Sequence, residues 1–142
     1  MNVRIKRIDK ELPLPKYETA GAVAFDIIAR VDTEILPGEV GLVPGNVIVE
    51  IPETHMLMLA PRSSTPIKKG LSSPHGIGII DHDYCGPKDE LRVQLYNFSK
   101  TAAMIKRGER IAQGVFVRID KFGWAEVDEI DKPTRGGFGT TG

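Results

Sequence analysis

Glycine and proline are spread along the whole chain, and their spacing limits the length of any regular element. Fifteen glycines and ten prolines stand among the 142 residues, so the uninterrupted segments between them are short. Neither residue suits a helix interior, and short segments bounded by them are typical of strands. No segment of about eleven residues or more has the periodicity of an amphipathic helix. We therefore predict a sandwich or barrel of many short strands.

Apolar residues at every second position mark several of these strands. The alternation places aliphatic side chains on one face and other side chains on the opposite face, as in a half-buried strand. It occurs in four segments: Val3–Ile5, Val47–Ile51, Leu91–Leu95 and Ile111–Ile119. The sequences Leu36–Glu39 and Val43–Asn46 each contain Pro-Gly and predict turns between neighbouring strands.

One short helix is predicted at Thr65–Gly70. Thr65 can cap its N-terminus, Pro66 suits the first helical position, and Gly70 suits the left-handed residue that ends a helix. The segment has room for only one or two turns. The predicted fold is therefore all-β with one small helix.

Length and charge narrow the class of protein. A chain of 142 residues with 41% apolar residues is ordinary for one globular domain. Its 19 basic and 19 acidic side chains cancel, which argues against a nucleic-acid polymer as partner. Cys85 is the single cysteine, so no intrachain disulfide forms and a reducing compartment is compatible. With no apolar run of membrane-spanning length, we expect a cytoplasmic protein without a membrane segment.

The C-terminal segment from Lys132 is rich in glycine and has almost nothing to bury. Such a segment is typical of a disordered end. It also carries groups that suit a nucleotide: glycine amides for phosphate oxygens, the Arg135 guanidinium, and the Phe138 ring for a base. Gly137 to Gly142 match a dinucleotide fingerprint by letter, but no helix follows, and the chain has no P-loop sequence. A disordered end and a substrate-binding arm are both open at this point.

This tail and four earlier segments together resemble the five ordered motifs of the trimeric dUTPase family. The earlier segments are Ala20–Ala29, Pro61–Ser64, Gly76–Gly86 and Gly108–Gln113. The resemblance implies a distorted jelly roll (β-clip) with one short helix, a single domain over residues 1–142, and a mobile arm, 132–142, that closes the active site. It also implies hydrolysis of dUTP to dUMP and pyrophosphate, Mg²⁺ as cofactor, and a homotrimer whose sites combine motifs of neighbouring chains.

Two aspartates take central roles under this resemblance. Asp81 would orient and deprotonate the water that attacks the α-phosphorus, although an aspartate there could equally form a turn. Asp26 lies in an apolar segment, where an unpaired carboxylate is costly to bury. It would contact water on the magnesium, or pair with an arginine such as Arg110, and both can hold together.

The remaining site residues are assigned to parts of the substrate. The resemblance places backbone groups around Asp81 against uracil and Tyr84 against the deoxyribose, where a tyrosine that simply packs is the alternative. Ser63 would contact a phosphate oxygen, with plain helix capping as the alternative, and Gln113 would contact the phosphate chain or face solvent. The full set implied to bind substrate is Arg62, Ser63, Ser64, His75, Gly78, Ile79, Tyr84, Gln113, Arg135, Phe138, Gly139 and Thr140.

The sequence departs from the family's usual motifs at several positions. Ser64 stands where glycine is common, His75 where many bacterial members have asparagine, and Cys85 where many have arginine. Pro87–Asp89 reads as an insertion of about three residues, and the tail is about two residues shorter than usual. Because the sequence shows no activating partner for Cys85, we interpret it as a passive thiol.

Two rival functions are a related enzyme activity and, from a different class, a noncatalytic module. The related dCTP deaminases carry a catalytic glutamate where this chain has Gln94, and a neutral amide cannot shuttle the protons that deamination requires. A noncatalytic nucleotide-binding β module is the second rival. The presence of Asp81 together with Arg135 and Phe138 argues against it.

Overall fold

The computed structural model describes residues 2–140, and strands dominate it. In chain order the elements are β1 (Arg4–Arg7), β2 (Phe25–Ile28), β3 (Thr33–Ile35), β4 (Val40–Pro44), β5 (Val47–Glu50), β6 (His55–Ala60), α1 (Thr65–Lys69), β7 (Leu71–Ser72), β8 (Gly78–Ile80), β9 (Arg92–Asn97), β10 (Ala103–Ile105) and β11 (Arg110–Arg118). The predicted all-β class with one short helix is confirmed.

The strands form four small antiparallel sheets around one apolar core. The largest sheet has the order β2-β11-β6-β8, and a three-stranded sheet has the order β4-β9-β7. Two further pairs, β1 with β5 and β3 with β10, complete the set. Every sheet contributes fully or almost fully buried side chains to the core, among them Ile27, Ile35, Val47, Leu57, Leu95 and Ile105.

The predicted alternation holds in β9 and fails at the start of β11. In β9, Val93 and Leu95 are buried while Arg92 and Gln94 are exposed, as period two requires. At the start of β11, Ile111 and its neighbour are both buried, because the register against β2 shifts between Arg110 and Ala112. This bulge inserts one extra residue and re-aims the side chains beyond it.

Local turn chemistry explains the short connections. Asn46 adopts a left-handed φ of 69° between β4 and β5, and Gly70 ends α1 with a φ of 62°. The prediction that Thr65 caps the helix is wrong. Ser64 is the N-cap residue, and Thr65 turns into the protein, where it is 8% exposed.

A buried polar network joins the β4–β5 turn to the start of β9. The Glu90 carboxylate accepts two hydrogen bonds from the Arg30 guanidinium, at 2.7 and 3.0 Å, and a third from the Asn46 backbone N–H at 2.9 Å. The hydrogen bonds that Arg30 donates to the Glu90 carboxylate raise the pKa of Arg30 above its ordinary value. Bidentate pairing of this kind fixes geometry as well as charge.

Ion pairs around the β10–β11 turn make stability depend on pH. Asp9 accepts hydrogen bonds from the Arg107 side chain and the Glu11 N–H, and Asp32 accepts them from the Arg107 N–H and the Lys106 ammonium. These bonds lower the pKa of both carboxyl groups. The stability they contribute is therefore present above the ordinary aspartate pKa of about 3.9 and is lost as pH falls through the lower folded-state pKa.

The double substitution Asp9→Asn and Asp32→Asn should lower the melting temperature at pH 7 and flatten its fall in acid. The parent and the double variant should converge as the pH falls through the lowered pKa values of Asp9 and Asp32, because the parent's carboxylates are then protonated too. Thermal melts between pH 7 and pH 2 measure this difference. Asp120→Asn, at an exposed carboxylate, is the control. A constant gap between parent and double variant across that pH range would contradict the prediction.

After β11 the chain leaves the body of the domain. The N–H of Ile119 still bonds to the carbonyl of Thr54 at 3.0 Å, but every residue from 120 to 136 is exposed. Several large apolar side chains lie in this segment, namely Phe122, Trp124, Val127 and Ile130. The arm predicted for 132–142 is the distal part of this longer exposed segment, and its residues 141 and 142 lie outside the described range.

Candidate active site

Asp81 lies on an exposed turn directly after β8. The backbone carbonyl of Asp81 accepts a hydrogen bond from the Tyr84 N–H at 3.2 Å, and the Asp83 carbonyl accepts one from the Cys85 N–H at 2.9 Å. The main chain of Asp81 therefore makes the turn, and the exposed carboxylate extends from it. The turn-forming interpretation is compatible with a chemical role, because the two use different atoms.

The strand before Asp81 offers main-chain groups to a ligand. β8 lies at the edge of the largest sheet and pairs with β6 on one side only, so its other side presents unpaired backbone donors and acceptors. A cavity of about 300 Å³ lies against β8 and is lined by His75, Gly78 and Ile79 among others. The His75 ring is held by the Ser73 hydroxyl at 3.1 Å. Three predicted substrate residues are thus brought together here.

Tyr84 is 38% exposed, and its hydroxyl donates a hydrogen bond to the Glu90 carbonyl at 3.2 Å. That bond joins the two ends of the loop that contains the inserted Pro87–Asp89. The ring is therefore tethered at its far end as well as at its backbone. A tethered ring can act as a wall, because steric exclusion depends on rigidity.

A second cavity, of about 540 Å³, suits an anion. Its lining includes four basic side chains, Arg62, Lys68, Lys69 and Arg110, and the half-buried Ser64. Glu109, the acidic residue of the lining, pairs with Lys69 at 2.7 Å. The other three basic side chains give the cavity a net positive lining. Phosphate oxygens accept hydrogen bonds from guanidinium groups and hydroxyls.

Asp26 holds two of these arginines in place. One carboxylate oxygen forms an ion pair with Arg62 Nε at 3.0 Å and the other accepts a hydrogen bond from Arg110 Nη1 at 3.1 Å, while the Asp26 side chain is 17% exposed. The expected pairing of Asp26 with Arg110 is confirmed, and Arg62 is a second partner. Each oxygen has a further lone pair beyond these bonds.

Three predicted hydroxyl and amide residues lie in or near the segment that carries Arg62, and one of them, Ser64, lines this cavity. Ser63 is exposed, and Ser64, although it is the N-cap residue, makes no capping hydrogen bond with its side chain. Gln113 is half-buried and donates to the Pro61 carbonyl at 3.3 Å. It therefore faces the segment that carries Arg62 rather than bulk solvent.

The residues fit Mg²⁺ only as an ion that arrives with a ligand. Within residues 2–140 no three His, Cys, Asp or Glu side chains cluster as a metal cage. Mg²⁺ keeps several waters and commonly binds through substrate phosphates and one or two carboxylates. Asp26, with lone pairs left over after its two arginines, suits contact through a metal-bound water.

The tail residues lie away from both cavities. Arg135 and Phe138 are exposed, and neither lines the cavities described above. The N–H of Gly137 donates to the Thr140 hydroxyl at 2.7 Å, and Gly136 and Gly139 have φ values of 83° and 87°. One chain on its own therefore does not bring the complete predicted set together.

Some residues at the site were not predicted from the sequence. Lys68 and Lys69 line the anion cavity, and the Lys121 ammonium lies 3.3 Å from the His82 ring beside Asp81. The signal for the lysines was their place in the last turn of the predicted helix. Nothing local in the sequence indicated the contact of Lys121, which is 39 residues from its partner.

The fold and these side chains define an all-β protein equipped to bind a phosphorylated small molecule. Comparison with known proteins narrows the class. The dUTPase family model matches residues 10–142, and the chain belongs to this family.

Relatives and solved structures agree with this assignment. The deoxyuridine 5'-triphosphate nucleotidohydrolase of Dictyoglomus turgidum is 39% identical over 148 residues, which cover 100% of this chain and 99% of the relative. The crystal structure of dUTPase from Streptococcus mutans is similar with a TM-score of 0.78 and 33% identity, covering 84% of this chain and 98% of that one.

The dUTPase of Staphylococcus bacteriophage 80alpha, determined with dUpNHpp, has a TM-score of 0.88 at 23% identity and covers 99% of this chain and 98% of that one. The predicted jelly-roll fold is confirmed. The helix described in residues 2–140 is too short to cross a membrane.

Proposed function

We propose that this chain hydrolyses dUTP to dUMP and pyrophosphate, with Asp81 activating the water that attacks the α-phosphorus. Family membership supports the reaction class. The observation that carries the assignment of Asp81 is its position, because its carboxylate is exposed at the end of an edge strand that borders a cavity. A carboxylate is a weak base in bulk water, so its contribution depends on fixed geometry beside the substrate. This activity would keep uracil out of DNA and supply dUMP for thymidylate synthesis.

Recognition of uracil is proposed to use the main chain of Gly78 and Ile79 beside His75. Uracil and cytosine differ in the donors and acceptors at their edges, and the open side of β8 carries backbone groups of both kinds. Tyr84 would pack against the deoxyribose and leave no space for a 2'-hydroxyl. The substrate class that follows is a deoxyuridine nucleotide.

The triphosphate is proposed to lie in the anion cavity, which has the basic lining described above. Arg62, Ser63, Ser64 and Gln113 would donate to its oxygens, and Arg135 would pair with the terminal phosphate. Asp26 would hold Mg²⁺ through a metal-bound water, and the ion would arrive with the triphosphate and neutralise phosphate charge. Asp26 itself keeps Arg62 and Arg110 aimed at the cavity.

We further propose a homotrimer with shared active sites. The cavity against β8 and the anion cavity share only Leu95 in their linings. The arm with Phe138, Gly139 and Thr140 lines neither cavity. Large exposed side chains in the segment that precedes the arm, such as Phe122 and Trp124, favour burial against a second copy of the chain. A site completed by neighbouring chains accounts for both features. Residues 1–142 would then be one domain, with 132–142 closing the site, and a cytoplasmic location stays a prediction.

A screen of nucleoside triphosphates tests the proposed reaction. Pyrophosphate release should be seen from dUTP in Mg²⁺, should fall steeply when EDTA removes the metal, and should be much slower from dCTP, dTTP and UTP. Ammonia release from dCTP would favour a deaminase instead. Binding of dUTP without any turnover would favour a noncatalytic nucleotide-binding module.

A further inference from the structure

Glu90 is the one buried acidic side chain among residues 2–140, with 7% of its surface exposed. It lies at the end of the loop that carries Asp81 and Tyr84. Burial of a carboxylate is costly unless it is paired and hydrogen-bonded. Here the cost is offset by the bidentate bond from Arg30 and the bond from the Asn46 N–H. Those partners belong to the body of the domain, so Glu90 anchors the loop to that body.

The backbone at this anchor is fixed as firmly as the side chain. The next residue, Leu91, is fully buried; its N–H donates to the Val47 carbonyl and its carbonyl accepts from the Gly45 N–H, both at 2.8 Å. The carbonyl of Glu90 therefore has a defined position between two constrained groups. That carbonyl is the acceptor for the Tyr84 hydroxyl.

The loop between these two residues closes on itself. The Asp89 carboxylate accepts from the Gly86 N–H at 2.7 Å, and the Gly86 carbonyl accepts from the Asp89 N–H at 3.1 Å. The inserted residues therefore form a separate small turn with its own hydrogen bonds. The Tyr84 backbone is held by the turn that follows Asp81. The Tyr84 ring is connected to the body of the domain by its hydrogen bond to the Glu90 carbonyl.

We infer that Glu90 is a positioning residue for sugar selection, which acts by fixing the carbonyl that holds the Tyr84 hydroxyl. The inference rests on the proposed function, because it assigns Tyr84 the task of excluding a 2'-hydroxyl. A wall that excludes one oxygen atom works only if it does not move by about the size of that atom. Glu90 would thus support the selection of substrates that lack a 2'-hydroxyl.

Glu90→Gln should lower the preference for dUTP over UTP, measured as the ratio of their kcat/KM values, by about tenfold or more. The amide keeps the shape of the side chain but loses the charge-assisted pair with Arg30. Tyr84→Phe keeps the ring and removes its hydroxyl, so it should lower the same ratio. Both changes weaken the same connection between the Tyr84 hydroxyl and the Glu90 carbonyl. The double variant should therefore lower the ratio little more than either single variant does.

Ile35→Val is the matched control for stability. Ile35 is buried in the core and lines neither cavity, so this variant should lower the melting temperature and leave the ratio unchanged. Where Glu90→Gln does not fold, Arg30→Lys keeps a cation beside Glu90 but loses the bidentate pairing, and it should also lower the ratio. An unchanged ratio in a folded Glu90→Gln variant, or losses from Glu90→Gln and Tyr84→Phe that multiply in the double variant, would overturn the inference.

Calorimetric binding of dUDP and UDP separates this inference from the proposed reaction. If the parent chain releases no pyrophosphate from dUTP, the proposed function fails, yet the preference for dUDP over UDP still reports on Tyr84. Loss of that preference in Glu90→Gln supports the positioning role without any turnover. A parent chain that binds both diphosphates equally well has no sugar selection for Glu90 to support, and this result overturns the inference.

Discussion

Replacing Asp81 with asparagine is expected to lower kcat for dUTP by about 10²- to 10⁴-fold, the usual contribution of a general base. Asparagine has nearly the same shape but cannot accept a proton from water. The fold should not change, because the hydrogen bond that makes the turn uses the backbone carbonyl of Asp81 and leaves its carboxylate uninvolved. Binding of dUDP should stay within about threefold of the parent, since the proposed base and phosphate contacts use other residues.

Asp83→Asn is the matched control for this experiment, because it removes the same charge two residues away on the same exposed turn. Pyrophosphate release in the presence of Mg²⁺ and calorimetric binding of dUDP give the two measurements. We expect Asp83→Asn to keep most of the parent's kcat. Equal losses in the two variants would mean that turn charge matters rather than a specific base, and full activity of Asp81→Asn would remove Asp81 from the mechanism.

Deleting residues 132–142 is expected to lower kcat/KM for dUTP by about 10²-fold or more while the melting temperature stays the same. The loss follows because Arg135 is the proposed donor to the terminal phosphate and Phe138 the proposed stacking surface, and a single donor to developing charge is already worth about that factor. Stability should not change, because the described part of this segment is almost wholly exposed and Phe138 packs on nothing.

The control for the deletion keeps the arm and changes two of its other residues, as in Lys132→Ala with Thr134→Ala. This variant should remain close to the parent in kcat/KM. Light scattering on all three chains tests assembly at the same time, and we expect a trimer for each because the apolar segment from Phe122 to Ile130 is retained. A fully active truncated chain would identify the tail as a disordered end, and an active monomer would contradict shared sites.

The parts of the fold that follow from local chemistry could be predicted from the sequence. Pro66 and Gly70 bracket the helix because proline suits its first turn and glycine suits its left-handed exit. The strand at Arg92–Asn97 follows from strict alternation. These signals are complete within a few residues, so they do not depend on the rest of the chain.

The parts that depend on distant partners could not be predicted. The bulge at Ile111 is set by the register against β2, which local alternation does not contain. Arg30 and Glu90 are 60 residues apart, and no local pattern indicates their pairing. Phe122 and Trp124 have the composition of core residues, so their exposure comes from the path of the chain after β11.

The candidate site divides in the same way. Ordered motifs named Arg62, Asp81 and Arg135 because those residue types and their spacing are visible in the sequence. His75 and Gly78 line one cavity, whereas Arg62 and Ser64 line another. This separation depends on the tertiary fold and is not visible in the sequence. Lys68 and Glu90 were missed because their importance comes from what folds against them.

The position of β8 at the edge of its sheet has a consequence for how this protein can change over generations. Every amino acid except proline carries the same amide and carbonyl, so the proposed main-chain binding edge is unaffected by most single-codon changes at the exposed Ile79. Such an edge tolerates drift in its side chains while its ligand preference stays constant. A new preference for another base would require the strand itself to take a different path, which a point mutation rarely achieves.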